Sequence, residues 1–287
     1  MSSPSERNDR KSAFRKGGKT GSNKAERPGP PGVPGRSGRP REAPGGRAAS
    51  SGANDWLWGV HAVEAALANP SRPRPKLILA TADRAARLEA RFGRLPALQV
   101  AEGAEIGRKL PPGAVHQGLA LRIDPAEPLS IFEIAMEPTG LLVMLDQVTD
   151  PQNVGAIFRS AAAFGARGVI LQDRHAPALS GALAKAAAGA VDMIPSASAV
   201  NLSRAIDELK DLGWRVVGLA GEAETELEAA LDGSPTVIVM GSEGEGLRRL
   251  VAERCDTLAK IPMPGGFESL NVSNAAAIAF YEAARRR

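Results

Sequence analysis

Six short apolar runs, rich in Val, Ile and Leu, alternate with helix-like segments over residues 141–287 of this 287-residue chain. Strands that are buried on both faces have such continuous apolar runs, whereas strands with one wet face alternate apolar and polar residues. The pattern therefore predicts an α/β fold with a parallel sheet that helices cover on both faces. The predicted strands are Leu141–Leu145, Gly168–Gln172, Val191–Pro195, Arg215–Ala220, Thr236–Met240 and Leu258–Met263, and the predicted helices are 154–164, 178–188, 202–212, 226–231, 247–255 and 272–285.

Two further segments precede this sheet. Residues 55–124 alternate short apolar strands with helical patterns and predict a small α/β domain. Residues 125–140 contain Pro125, Pro128 and Pro138, which favour a linker, and we expect any motion between the two domains to hinge there.

The first 54 residues have a different composition. Residues 1–50 hold 12 Lys and Arg against 4 acidic residues, while the whole chain has a net charge of only +4. A Pro- and Gly-rich segment with this charge buries too little apolar area to fold, so we expect a disordered basic arm. Such an arm suits a polyanion such as RNA or DNA. The alternative is a solubilising tail.

Several classes of protein are disfavoured by absent features. No apolar run approaches 18 residues, and the polar, basic N-terminal residues lack the apolar stretch of a signal peptide, so we expect a cytoplasmic protein without a membrane partner. The single cysteine, Cys255, excludes an internal disulfide and a cysteine-based zinc site, and we expect it to be inert. His61, His116 and His175 are too scattered to predict a metal site.

Polar residues cluster after three of the predicted strands. In a parallel sheet the carboxyl ends of the strands meet at one edge, where ligands bind, so we expect one pocket there. Arg159 lies among small and apolar neighbours and needs a partner or an anion. The alternative is local capping, by Asn153 at one helix and by Ser273 or Asn274 at the last helix. The clusters contain Asn153, Gly155 and Arg159, then Gly241, Glu243, Gly244 and Gly246, and finally Glu268, Ser269, Asn271, Ser273 and Asn274.

The glycine-rich segment GSEGEG, residues 241–246, does not match either common nucleotide-binding loop. It has neither the GxGxxG spacing of dinucleotide-binding folds nor the GxxxxGK[ST] spacing of phosphate loops. No Ser and His stand in a context typical of a hydrolase. A dehydrogenase or a hydrolase is therefore disfavoured.

Three segments of the chain resemble the motifs of the SpoU (TrmH-type) 2′-O-ribose RNA methyltransferases of the SPOUT superfamily. They are DPQNVGAIFRSAAAFGA, VIVMGSEGEGL and KIPMPGGFESLNVSNAAAIAFYE, within residues 141–286. WGVHAVEAAL (58–67) and VHQGLALR (115–122) are similar to the small ribosomal-protein-like substrate-binding domain of the subgroup that methylates a guanosine of 23S rRNA.

The resemblance implies a trefoil-knotted methyltransferase domain over residues 141–287, an RNA-binding domain over 55–124 and a homodimer. It implies S-adenosylmethionine as cofactor, held by Gly241, Ile261 and Leu270. It also implies a polar set made of Asn153, Arg159, Glu243, Ser269 and Asn271. One departure is an alanine, Ala186 or Ala187, where the family usually has a serine that contacts substrate.

The function that the resemblance implies is 2′-O-methylation of a ribose in 23S rRNA. A transfer RNA target and a non-catalytic RNA-binding protein on the same fold are the alternatives. Family accounts make Arg159 the base, but a guanidinium with a pKa above about 12 is a poor proton acceptor, so we expect it to stabilise negative charge instead. We expect Glu243 to orient the arginine or the base, and Ser269 and Asn271 to position the ribose or the cofactor.

Overall fold

Two sheets organise residues 55–266 and 269–286, which are the residues that this computed structural model describes. The smaller sheet has four strands in the order β1-β4-β2-β3. β4 pairs antiparallel with β1 and β2, and β3 pairs parallel with β2. Its elements are β1 (Trp56–Trp58), α1 (Val60–Ala68), β2 (Leu77–Ala80), α2 (Ala82–Phe92), β3 (Leu98–Val100), α3 (Gly103–Arg108) and β4 (Leu119–Arg122).

The larger sheet has seven strands in the order β7-β6-β5-β10-β8-β11-β9, and every pairing is parallel. The strands are β5 (Leu141–Leu145), β6 (Gly168–Gln172), β7 (Ser196–Ala199), β8 (Arg215–Leu219), β9 (Thr225–Glu226), β10 (Thr236–Met240) and β11 (Thr257–Lys260). The helices are α4 (Ile131–Ala135), α5 (Pro151–Ala163), α6 (Gly181–Ala186), α7 (Leu202–Asp211), α8 (Leu227–Ala230), α9 (Arg249–Ala252) and α10 (Val272–Arg285).

Both faces of the larger sheet are covered, as the continuous apolar strands predict. Every residue of β5 and β10 is buried, and alternate residues of each strand belong to two separate apolar clusters. One cluster includes residues of α5 and α10, and the other includes residues of α4 and α7. The central strands therefore need apolar side chains at all positions.

The prediction of a strand at Val191–Pro195 is wrong. Residues 190–192 form a 3₁₀ turn, and the strand β7 begins four residues after Asp192. Asp192 accepts two hydrogen bonds from Arg72, with Nε to Oδ1 at 2.6 Å, and both side chains are only 2% exposed. A buried carboxylate needs such a partner, and the turn presents it to the smaller sheet's loops. β7 has the alternating sequence SASA because it is an edge strand with every second residue buried.

Several predicted boundaries also differ from the structure. The last strand ends at Lys260 rather than at Met263, and α6 and α9 are shorter than predicted. Met263 lines the cavity described below, so this part of the chain serves the site instead of the sheet.

The segment that we interpreted as a linker, 125–140, contains the packed helix α4. Ser130 caps it through a capping box with Glu133, while Ile134 and Ala135 are buried. The indole of Trp214 donates a hydrogen bond to the carbonyl of Ala135 at 2.8 Å. The segment 125–140 therefore packs against the larger sheet through α4, instead of forming only the linker that its prolines predict.

The N-terminal arm, 1–54, lies outside the described residues. Within the described part, no helix is long and apolar enough to cross a membrane.

We expect Cys255 to react slowly in the folded protein. Burial, together with the charges of Asp256 and Asp146, raises the pKa of this thiol from 9.0 to about 12, so it stays protonated at pH 8. Ellman's reagent at pH 8 should react at least about a hundredfold faster after denaturation. A comparable rate in the native protein would contradict this burial.

The same thiol affects stability at high pH. In the unfolded chain it loses its proton near pH 9, whereas in the folded chain it keeps it until about 12. Its contribution to the free energy of unfolding is therefore fully present below pH 9 and decreases as the pH rises from 9 to about 12.

Candidate active site

A cavity of about 470 Å³ lies at the carboxyl ends of β8, β10 and β11. These three strands are neighbours in the sheet, with β8 in the middle, so the segments that follow them meet at one edge. The volume falls in the range of small-molecule sites. Its lining includes seven residues singled out in the sequence: Gly241, Glu243, Gly244, Gly246, Ile261, Ser269 and Leu270.

The wall after β10 is a tight loop that depends on Gly241. A Cβ at this position would lie 2.1 Å from the carbonyl carbon of Gly246 and 2.4 Å from the nitrogen of Leu247, both of which are backbone atoms. Ser242 and Gly246 exchange two backbone hydrogen bonds, of 3.1 and 3.0 Å, which close the loop. The absence of a side chain at Gly241 therefore lets two backbone segments touch. Gly241 has this role in the turn, and the loop matches neither phosphate-binding pattern.

The side chain of Asp146, a residue that was not predicted from the sequence, bonds Arg248 just beyond the end of this loop. Its carboxylate is fully buried and accepts hydrogen bonds from the backbone nitrogen and the Nε of Arg248, at 2.9 and 2.7 Å. Its own backbone nitrogen donates to the carbonyl of Met240 at 2.8 Å. An acid directly after a fully apolar strand was the available signal, since a buried carboxylate requires a partner.

Three of the predicted polar residues form one hydrogen-bonded cluster, which we call the Asn–Glu–Asn cluster: Asn153, Glu243 and Asn271. The amide of Asn271 donates to Oδ1 of Asn153 at 3.0 Å and to Oε1 of Glu243 at 2.7 Å. The amide of Asn153 donates to the same Oε1 at 3.1 Å. The backbone nitrogen of Val272 adds a third bond to this oxygen at 3.2 Å. Glu243 thus bonds two asparagines and, among the described residues, has no hydrogen bond or ion pair with Arg159.

The capping alternatives for these residues are corrected by the structure. Asp150, not Asn153, caps α5 by accepting a hydrogen bond from the backbone nitrogen of Gln152. Asn271, not Ser273 or Asn274, caps α10, because its Oδ1 accepts from both of their backbone nitrogens. The amide oxygen of Asn271 therefore caps α10, while its amide nitrogen bonds the other two residues of the cluster.

Arg159 lies on α5 and is exposed. Among residues 55–266 and 269–286, it has no hydrogen-bond or ion-pair partner, and it does not line the cavity. The sequence predicts that the guanidinium of Arg159 needs an anion. In the structure this guanidinium lies on the surface, where an anionic group of a ligand can reach it.

Ala186 and Ala187, where an alanine replaces the serine of the family pattern, pack against α5. A Cβ at Gly155 would lie 2.6 Å from the Cβ of Ala186 and 3.0 Å from the nitrogen of Ala187. Ala187 is only 1% exposed. Small residues on both helices allow this close contact between α5 and α6.

The described residues contain no group of three His, Cys, Asp or Glu side chains that could hold a metal ion. The cavity itself suits an organic ligand, since its lining combines apolar residues such as Leu219, Met240 and Ile261 with the carboxylates of Glu222 and Glu243.

Residues 140–281 match the model of the SpoU rRNA Methylase family. The chain is 40% identical over 244 residues to the 23S rRNA (guanosine-2′-O-)-methyltransferase RlmB of Photobacterium profundum, a match that covers 82% of this chain and 98% of the relative. It is 46% identical over 178 residues to an uncharacterized tRNA/rRNA methyltransferase of Mycobacterium avium. That match covers 60% of this chain and 57% of the mycobacterial relative's length.

A solved structure with a similar fold is the AdoMet-bound rRNA methyltransferase of Sinorhizobium meliloti. It is 29% identical to this chain, with a TM-score of 0.66, and the match covers 81% of this chain and 87% of that one.

Proposed function

Because the chain belongs to the SpoU rRNA methylase family, we propose that it transfers a methyl group from S-adenosylmethionine to the 2′-hydroxyl of a ribose, in a guanosine of 23S rRNA. The single observation that carries this proposal is the Asn–Glu–Asn cluster beside the cavity. It joins side chains from three strand ends in one hydrogen-bonded arrangement.

The cavity is the proposed cofactor site. Gly241, Ile261 and Leu270 line it, and its carboxylates suit a ligand that carries amino and sulfonium charges. When bound, S-adenosylmethionine supplies a methyl group that is already activated by the sulfonium. The protein's task is then alignment of the ribose oxygen, because a well-oriented reaction needs little further help.

The polar residues divide this task in our proposal. Ser269 lines the cavity and is exposed, so its hydroxyl is free to bond the ribose or the cofactor. The Asn–Glu–Asn cluster keeps the loop after β10 against the start of α10, since Glu243 belongs to the first and Asn271 to the second. Arg159 binds a phosphate of the RNA and stabilises the negative charge that develops on the ribose oxygen as its proton leaves to solvent.

A transfer RNA target is the second candidate, because the Mycobacterium avium relative is named for both tRNA and rRNA. Ribosomal RNA is favoured because the match to the 23S rRNA enzyme includes the smaller sheet as well as the larger one. We assign residues 55–124 to RNA binding, 125–140 to the connection, 141–287 to methyl transfer and 1–54 to a basic arm that adds RNA affinity at low salt.

The function is tested by ribose-methylation mapping of 23S rRNA after incubation of unmodified transcript with the protein and S-adenosylmethionine. We expect one new 2′-O-methylguanosine. Calorimetry should show cofactor binding at micromolar concentrations. Methylation of total tRNA alone would support the second candidate, and no cofactor binding at tens of micromolar would contradict both.

Removal of the Glu243 side chain should reduce turnover more than its replacement by an amide. In Glu243→Gln the side-chain carbonyl can still accept from Asn153, Asn271 and the nitrogen of Val272, whereas Glu243→Ala leaves these donors to water. We expect kcat/KM to fall about a hundredfold in the alanine variant and about tenfold or less in the glutamine variant. Steady-state methylation assays measure both values; equal losses would mean that the negative charge, not the hydrogen bonding, is needed.

We also propose a trefoil knot in the larger domain, a homodimer and a cytoplasmic location. The non-sequential order of the sheet supports the knot that the family resemblance implies. The exposed apolar residues Ile278 and Tyr281 of α10, 43% and 52% exposed, favour contact with a second copy. Light scattering of the purified protein should give twice the mass of one chain.

A further inference from the structure

A second cleft, of about 550 Å³, lies between the smaller sheet's loops and the first turns of α5 and α6. One wall is formed by Trp58 and the loop 111–115, and the other by residues 151–152 and 177–185. Neither the proposed cofactor site nor the Asn–Glu–Asn cluster uses this cleft.

The walls of the cleft are apolar and rigid. They include four prolines, which have a fixed φ and no backbone donor. The ring of Trp58 lies against the start of α6, where a Cβ on Gly181 would be only 3.2 Å from the indole. A preformed cleft loses little conformational freedom when it binds a ligand. The prolines are Pro111, Pro112, Pro151 and Pro177.

Lys185 gives the cleft one positive charge. Its ammonium donates to the side-chain oxygen of Gln117 at 2.8 Å, and no carboxylate in the described part of the chain pairs with it. Burial lowers the pKa of Lys185, and no Asp or Glu of residues 55–266 and 269–286 lines the cleft. The absence of a side chain at Gly59 makes room for the ammonium, which would lie 2.4 Å from a Cβ there. An ammonium with three donors and one neutral acceptor can still bond a ligand's acceptor.

The cleft connects with the proposed active site through α5. Gln152 lines the cleft, and the next residue, Asn153, bonds Glu243, which lines the cofactor cavity. Arg159 follows Gln152 by seven residues, so it lies on nearly the same face of the helix, about 10 Å along the axis. Helix α5 therefore carries, in order along the chain, a residue of the cleft, a residue of the Asn–Glu–Asn cluster and Arg159.

We propose that this cleft takes an unstacked nucleobase of the RNA substrate, with Lys185 donating to an acceptor on the edge of the base. The proposal rests on the proposed function, since it identifies the ligand as part of the methylated RNA. Unpaired bases splayed from RNA stack on apolar and aromatic surfaces and bond through their edges. A cation that has no carboxylate partner among the described residues suits the O6 and N7 acceptors of guanine.

Two substitutions test the cleft with unmodified 23S rRNA transcript as the probe. Lys185→Met removes the donor and keeps the aliphatic bulk. Val115→Asp places a negative charge on the opposite wall at a residue that is 66% exposed, so the fold does not depend on it. We expect the KM for RNA to rise about tenfold in each variant, with cofactor affinity by calorimetry unchanged. Arg204→Met, on the exposed face of α7, is the control and should behave as the wild type.

The outcomes separate this inference from the proposed function. A KM for RNA within twofold of the wild type in both variants would overturn the inference while leaving the methyltransferase assignment intact. If the wild type binds the transcript without methylating it, the proposed function fails, and the RNA affinities of the variants still decide the cleft. Unchanged RNA affinity in both variants would then make a protein segment the better occupant.

Discussion

Arg159→Ala should lose methyl transfer by about two to three orders of magnitude in kcat, with cofactor affinity unchanged. The guanidinium is exposed, has no partner among the described residues and does not line the cofactor cavity, so its removal disturbs neither packing nor the cofactor site. In our proposal, what it takes away is a charge that stabilises the developing alkoxide and binds the RNA phosphate. Methyl incorporation into rRNA transcript measures kcat, and calorimetry measures cofactor affinity.

The control for Arg159→Ala is Arg204→Ala, which removes another exposed arginine, from α7. It should retain wild-type turnover. Wild-type turnover in Arg159→Ala itself would remove this residue from the mechanism.

Arg159→Lys distinguishes charge stabilisation from proton removal. If the charge is what matters, lysine should retain part of the turnover, and the pH–rate profile should show no new rise near the pKa of a lysine. A rise in turnover as that lysine deprotonates would instead establish a base at this position.

Gly241→Ala should abolish cofactor binding, with a dissociation constant raised at least about a hundredfold. A Cβ at this position would lie 2.1 Å and 2.2 Å from the carbonyl carbon and oxygen of Gly246. Both are backbone atoms within a loop closed by two hydrogen bonds, so the conflict is relieved only if the loop opens. Since that loop is a wall of the cavity, the proposed cofactor site opens with it. Calorimetry with S-adenosylmethionine measures the loss.

Gly265→Ala is the matched control for this substitution. Gly265 lies in the segment after β11, where an added Cβ would meet no atom of the described residues within 4 Å. It should bind the cofactor as the wild type does. Near-normal affinity in Gly241→Ala, with both variants equally folded by circular dichroism, would show that the loop adapts and that its close approach is not needed for binding.

The central strands of the larger sheet could be predicted residue by residue. Leu141–Leu145, Gly168–Gln172 and Thr236–Met240 are strands at the predicted positions, because burial on both faces leaves a continuous apolar run in the sequence. The edge of the sheet could not be predicted in this way. The apolar segment 191–195 predicts a strand, whereas the observed strand β7 has the weak pattern SASA.

The packed helix in the segment 125–140 was also missed. Its prolines favoured a linker, yet Ile134 and Ala135 are buried against the sheet. Tertiary packing outweighed the local signal, as it often does for short helices.

The sequence by itself determined the α/β class, the family and the residue types that surround the site, because these are recorded in local periodicity and in contiguous motifs. Only the tertiary structure decided which of those residues meet. Asn153 bonds Glu243 across 90 positions and Asn271 across 118. In the structure Glu243 accepts hydrogen bonds from both asparagines, and Asp146 bonds Arg248 after the loop that follows β10. Such contacts depend on the order of strands in the sheet, and that order is set by packing of the whole chain, which no local pattern encodes.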